Sequence, residues 1–107
     1  MNSYRYRVTV EMLNGAKGEP VEGRALSFEV ANHDDLLQIA ARMRKRLPYA
    51  AETAASLAIG MKLFSEVALV HREDALFAKI RPAIGEFVSE LKSLPDESNY
   101  SLPATSE

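Results

Sequence analysis

The chain has 107 residues, 47% hydrophobic and 26% charged, a composition that suits one small globular domain and leaves no room for two. Thirteen Lys and Arg against fifteen Asp and Glu give a formal charge of −2, an even balance that argues against a general nucleic-acid or membrane-surface binder. With no cysteine there is no disulfide framework, thiolate metal site or cysteine nucleophile, so an apolar core must supply the stability and a reducing compartment is the expected setting.

The N-terminal run Met1 to Arg7 lacks the apolar stretch of a signal peptide. No segment is read as approaching the roughly 18 apolar residues of a membrane span, so the expected location is cytoplasmic, with no membrane partner. Residues 4 to 13 alternate Tyr4, Tyr6, Val8, Val10 and Met12 with Arg5, Arg7, Thr9 and Glu11, the period of a strand with one buried face. The even positions are expected to point inward. Asn14-Gly15-Ala16-Lys17-Gly18-Glu19-Pro20 then supplies residues suited to positive φ and a fixed bend, so the chain reverses. Residues 21 to 31 read as a second strand, with Leu26, Phe28 and Val30 again even-numbered. An antiparallel hairpin that puts both even sets on one face has directly opposed residues of constant index sum. The register taken here pairs Tyr6 with Phe28, Val8 with Leu26 and Arg5 with Glu29.

Asn32 reads as an N-cap with Asp34 and Asp35 in the first turn, and Leu36, Ile39, Ala40, Met43 and Leu47 follow at helical spacing, predicting a helix over about 33 to 46. Pro48 disfavours helical geometry at Leu47 and ends it. A second helix, about 50 to 71, carries Ala50, Ala54, Leu57, Met61, Phe64 and Ala68 along one stripe, with Gly60, Leu63, Val67 and Val70 beside it. Being apolar over most of its circumference, it is expected to be the most buried element, with Phe64 in the core and with its small residues filling a crowded core or admitting a close helix. Glu73 and Asp74 open a third amphipathic segment that Pro82 either kinks or divides into 74 to 80 and 81 to 93. From Pro95 the chain has three acids, no base and no periodicity, and is expected to be a mobile tail beyond a single α+β domain over residues 1–94.

Candidate chemistry is sparse. His33 beside Asp34 and Asp35, and His71 before Arg72-Glu73-Asp74, could form a metal site if the helix starts converged. No metal-ligand spacing supports this, and both histidines sit at predicted helix boundaries, where residues that satisfy helix termini are common. Arg42, Arg44, Lys45 and Arg46 form a basic run at a helix C-terminus, where cations interact favourably with the dipole. With Arg5 and Arg7 of the hairpin, Arg42, Lys45 and Arg46 are the residues a nucleic-acid-binding reading would use. Ser27, Ser56 and Ser65 lack a nucleophile motif, and the glycines form no phosphate-cradling pattern. No catalytic, cofactor-binding or metal residue is therefore assigned, and no cofactor.

Five segments together carry a resemblance: Arg5-Tyr6-Arg7-Val8-Thr9-Val10, Leu26-Ser27-Phe28-Glu29, Asn32-His33-Asp34-Asp35, Gly60-Met61-Lys62-Leu63-Phe64-Ser65-Glu66-Val67 and Pro82-Ala83-Ile84-Gly85-Glu86-Phe87. Over about residues 4 to 94 the chain resembles a family of small bacterial proteins known only as a domain of unknown function. That resemblance implies a bacterial cytosolic setting and no chemistry.

The expected fold is α+β: an N-terminal antiparallel hairpin followed by three helices, or four if Pro82 divides the last. An isolated hairpin is marginal in water, so it must lean on the helices or gain strands from a second chain. The leading function is a non-enzymatic, self-associating protein-interaction or regulatory module, as a homodimer. The rivals are a nucleic-acid binder and a small ligand binder or enzyme with His33 or His71 in a pocket.

Overall fold

Alternating side chains at the N-terminus form β1 (Tyr4–Glu11), which pairs antiparallel with β2 (Ala25–Asn32) in a two-stranded sheet. Helices α1 (Leu36–Arg46), α2 (Ala51–Val70), α3 (Ala75–Ala78) and α4 (Arg81–Lys92) follow, so the fold is α+β with four helices among the described residues. The computed structural model describes residues 3–94. The segment 95–107, expected to be a mobile tail, lies outside the described residues. The chain divides between Asp34 and Asp35 into two compact units, a hairpin and a helical unit.

In the hairpin both even-numbered sets share one face, as the alternation predicts, but the register is shifted by two residues. Val8 stands opposite Phe28, Tyr6 opposite Val30 and Arg7 opposite Glu29. The loop explains the shift. At its tip Asn14 bridges Pro20 and the Val21 N–H donates to the Leu13 carbonyl at 3.0 Å, both in the register expected from sequence. Met12, one residue earlier, instead donates to the Arg24 carbonyl at 2.9 Å. Glu22 and Gly23 are therefore extra residues on the returning strand, taken up as a bulge. Gly23 makes this possible with φ of +77°, a left-handed conformation open to glycine at little cost. A two-residue slip preserves parity, so it leaves the faces unchanged.

The odd face is polar. Arg5 and Arg7 both bind Glu29, and the Thr9 and Ser27 hydroxyls share a hydrogen bond of 2.9 Å. The even face was expected to be buried, and this is met only in part. Tyr6, Val8 and Val30 are half-buried, but Val10 and Leu26 are 61% and 62% exposed. Tyr6 is further held by its hydroxyl, which donates to the Asp34 carbonyl at 2.8 Å.

The helix start corrects another expectation. Asp35, not Asn32, caps α1: its carboxylate accepts from the Gln38 N–H at 3.0 Å. Asn32 is the last residue of β2 and is buried, with its side-chain oxygen accepting from the Asp34 N–H at 3.0 Å. Both residue types favour N-cap positions, and the one still committed to the strand makes a local turn instead. Leu47, extended before Pro48, ends α1 as predicted.

The helical core is built from Ala40, Met43 and Leu47 of α1 and its end, Ala54 and Ala58 of α2, and Leu91 of α4. The expected stripe of α2 is met at Ala54 and Ala68 and in part at Leu57 and Met61, but not at Phe64, and α2 is not the most buried element. Its buried positions are Ala54, Ala58 and Ala68, while Phe64 is 44% exposed and Val67, Leu69 and Val70 are also exposed. Alanines bring the helix backbone close to α1, and the longer Met43 and Leu47 fill the remaining space. Gly60, expected to admit a close neighbour or fill a crowded core, is exposed, and a Cβ placed there meets nothing within 4 Å. By length and composition α2 also reaches what a membrane span needs, with mean hydropathy 1.5 over its most apolar window, contrary to the expectation that no segment comes near one. Lys62 and Glu66 interrupt it one helical turn apart. Pro82 divides the last segment rather than kinking it. It occupies the first turn of α4, where a missing N–H costs nothing, while the Asp74 carboxylate caps α3 by accepting from the Leu76 N–H.

Candidate functional site

The helical unit carries an open apolar groove of about 300 Å³, lined by Met61 and Phe64 of α2, Ile80, and Ala83, Ile84 and Phe87 of α4. Three local features build it. Ala54 and Ala58 of α2 pack with Met43 and Leu47, and Phe64, on the flank of that face, is left exposed. Pro82 starts α4 afresh and sets Ala83, Ile84 and Phe87 along one face at helical spacing. Phe77 of α3 meets the Phe64 ring in a tilted contact, with centroids 6.2 Å apart and planes at 60°. No titratable side chain lines the groove, so its chemistry is that of apolar binding. The sequence reading placed Phe64 in the core, on one stripe with Met61; in the structure Phe64 is exposed on the groove and Met61 half-buried.

The hairpin carries a second, smaller hollow of about 240 Å³ lined by Arg5, Tyr6, Arg7 and Glu29. Arg5 donates to one Glu29 oxygen at 2.7 Å and Arg7 to the other at 3.1 Å. The Arg5–Glu29 pairing read from sequence is thus present as a diagonal contact, while Arg7 is the residue directly opposite. All three side chains are more than half exposed, so each pair contributes only about 0 to 1 kcal/mol.

The other sequence candidates stand apart from both hollows. Arg42 and Lys45 are exposed on α1, and the Arg46 guanidinium donates to the Lys92 carbonyl at 3.4 Å, a cation at the C-terminal end of α4. Arg46 thus serves helix-to-helix packing. His33 is exposed between β2 and α1, and His71 is the C-cap of α2, its backbone N–H donating to the Val67 carbonyl at 3.0 Å. Termini-satisfying histidines were expected; the side-chain caps come instead from Asp35 and Asp74. Among the described residues no group of three or more His, Asp or Glu side chains is placed to hold a metal. The Ser65 hydroxyl is buried without a hydrogen-bond partner among the described residues, so no base addresses it.

The architecture defines a class: a small α+β protein with one hairpin, four helices and an open apolar groove among the described residues. The model of the domain-of-unknown-function family DUF3861 matches residues 4–93, and the chain belongs to that family. It is similar to the crystal structure of a protein of unknown function from Pectobacterium atrosepticum. The two share 28% identity and a TM-score of 0.73, covering 85% of this chain and 98% of that one. No curated protein matches the chain significantly.

Proposed function

We propose that this chain is a non-enzymatic protein-interaction or regulatory module of the bacterial cytosol that self-associates as a homodimer. The observation that carries this reading is large apolar surface left outside the core: Phe64, Ile80 and Phe87 on the groove, and Val10 and Leu26 on the hairpin, are all exposed. Exposed apolar residues on each unit, and an open apolar groove on the helical one, favour a protein partner over a polar metabolite. The nucleic-acid alternative, through Arg5, Arg7, Arg42, Lys45 and Arg46, is weakened because three of the five already have partners: Glu29 for Arg5 and Arg7, and the Lys92 carbonyl for Arg46. The ligand-binding or enzymatic alternative required His33 or His71 in a pocket, and neither lines the groove or the hairpin hollow.

Sedimentation equilibrium over micromolar concentrations tests the reading. A mass rising toward twice 11.8 kDa supports it, and a mass fixed at 11.8 kDa throughout refutes self-association. Retention on an anionic matrix that falls steeply with salt favours the nucleic-acid alternative instead.

A further inference from the structure

The hairpin is a two-stranded sheet, and among the described residues neither of its edges has a further strand beside it. The Met12 N–H bond to the Arg24 carbonyl sets the phase of the ladder. Even-numbered residues of β1 exchange hydrogen bonds with β2, so the N–H and C=O groups of Arg5, Arg7, Thr9 and Glu11 point away from it. All four residues are exposed, and none makes a further backbone hydrogen bond among the described residues.

The charges along this edge are asymmetric. Arg5 and Arg7 share the single carboxylate of Glu29, leaving one positive charge in excess near the start of β1. Glu11, at the other end, has no ion pair among the described residues. A strand with excess positive charge at one end and a free carboxylate at the other is complementary to its own antiparallel copy.

We propose that β1 pairs antiparallel with β1 of a second copy about a two-fold axis at Val8, joining two hairpins into one four-stranded sheet. The proposal rests on the self-association reading above and assigns its surface. In this register Arg5 stands opposite the partner's Glu11, Arg7 opposite the partner's Thr9, and Val8 opposite its own counterpart. The outward groups then form about eight new backbone hydrogen bonds. The even faces of both hairpins continue across the junction, with Tyr6 beside the partner's Val10. The opposite edge is a poorer match: the only charge on β2 is Glu29, already bound by two arginines, so its self-pairing adds no ion pair. Four strands also overcome the marginal stability of a lone hairpin.

The test uses the full cysteine-free chain. Val8 opposes itself at a non-hydrogen-bonded position, where Cα atoms lie about 4.5 Å apart, within disulfide range. Val8→Cys is expected to form a covalent dimer on mild oxidation, and Phe28→Cys, opposite it on β2, which becomes the outer strand of the joined sheet, is not. Charge variants test the same register without a core change. Arg5→Glu and Glu11→Arg are each expected to weaken self-association about tenfold at low salt, through two like-charge pairs per dimer, while their equimolar mixture recovers the wild-type affinity as a heterodimer. Crosslinking through Phe28→Cys but not Val8→Cys overturns the proposal in favour of the β2 edge. A wild-type dimer that neither cysteine crosslinks, and that the charge variants leave unchanged, overturns the proposal while the interaction reading stands. A strictly monomeric wild-type chain overturns both.

Discussion

Truncating Met43 to alanine should destabilise the protein more than truncating the larger Phe64. Met43 projects from α1 into the helical core, is 5% exposed, and packs with Ala40, Leu47, Ala54, Ala58 and Leu91 in one cluster. Its neighbours include three alanines, whose short side chains have no reach to fill the space it vacates. Lost transfer energy and a persistent cavity together put the cost at about 3 kcal/mol, within the roughly 2 to 5 kcal/mol of buried methionine truncations. Phe64 retains 44% exposure on an open groove. Full burial of such a side chain is worth about 1.5 to 3 kcal/mol, and with just over half of it removed from water the loss is about 1 to 2 kcal/mol, since an open groove adds little cavity cost. Urea denaturation followed by far-UV circular dichroism measures both, as midpoint shifts at constant slope. Equal losses, or a larger one for Phe64→Ala, would refute the assignment of the alanine face of α2 to the core.

Three further outcomes follow from local geometry. Gly60→Ala should stabilise α2 by about 0.5 to 1 kcal/mol, because an added Cβ meets nothing and helix propensity alone decides; a drop in the thermal midpoint would mean that α2 is covered at this point. Asp35→Ala should cost about 1 kcal/mol through the lost cap on the Gln38 N–H, whereas Asp35→Asn should retain most of it; amide hydrogen exchange at Gln38 reports the change directly. Gly23→Ala should cost about 1 kcal/mol although the site is open, because the strain lies in its φ of +77°, and amide exchange across the hairpin should rise; unchanged protection would remove the bulge as the device that sets the register.

Much of this molecule was legible in the residues themselves. Alternation in β1 and β2 assigned each side chain to its face, since period two is a property of any strand and survives a slip of two residues. Pro48 and Pro82 marked breaks because each lacks an N–H and constrains the residue before it, and both helices end or restart there. The Arg5, Arg7 and Glu29 cluster was half legible: opposite charges near one another on the odd face were expected, but the directly opposed partner depended on two extra loop residues at Glu22 and Gly23. On α2 the sequence stripe holds at Ala54 and Ala68, and tertiary structure alone decided that Phe64 stays outside. A helix apolar around most of its circumference has no amphipathic signal to aim it, so the choice fell to shape, and the alanines that admit α1 at close range turned inward. That choice moved Phe64 from expected core to groove and, with the restart of α4 at Pro82, created the apolar surface on which the proposed function rests.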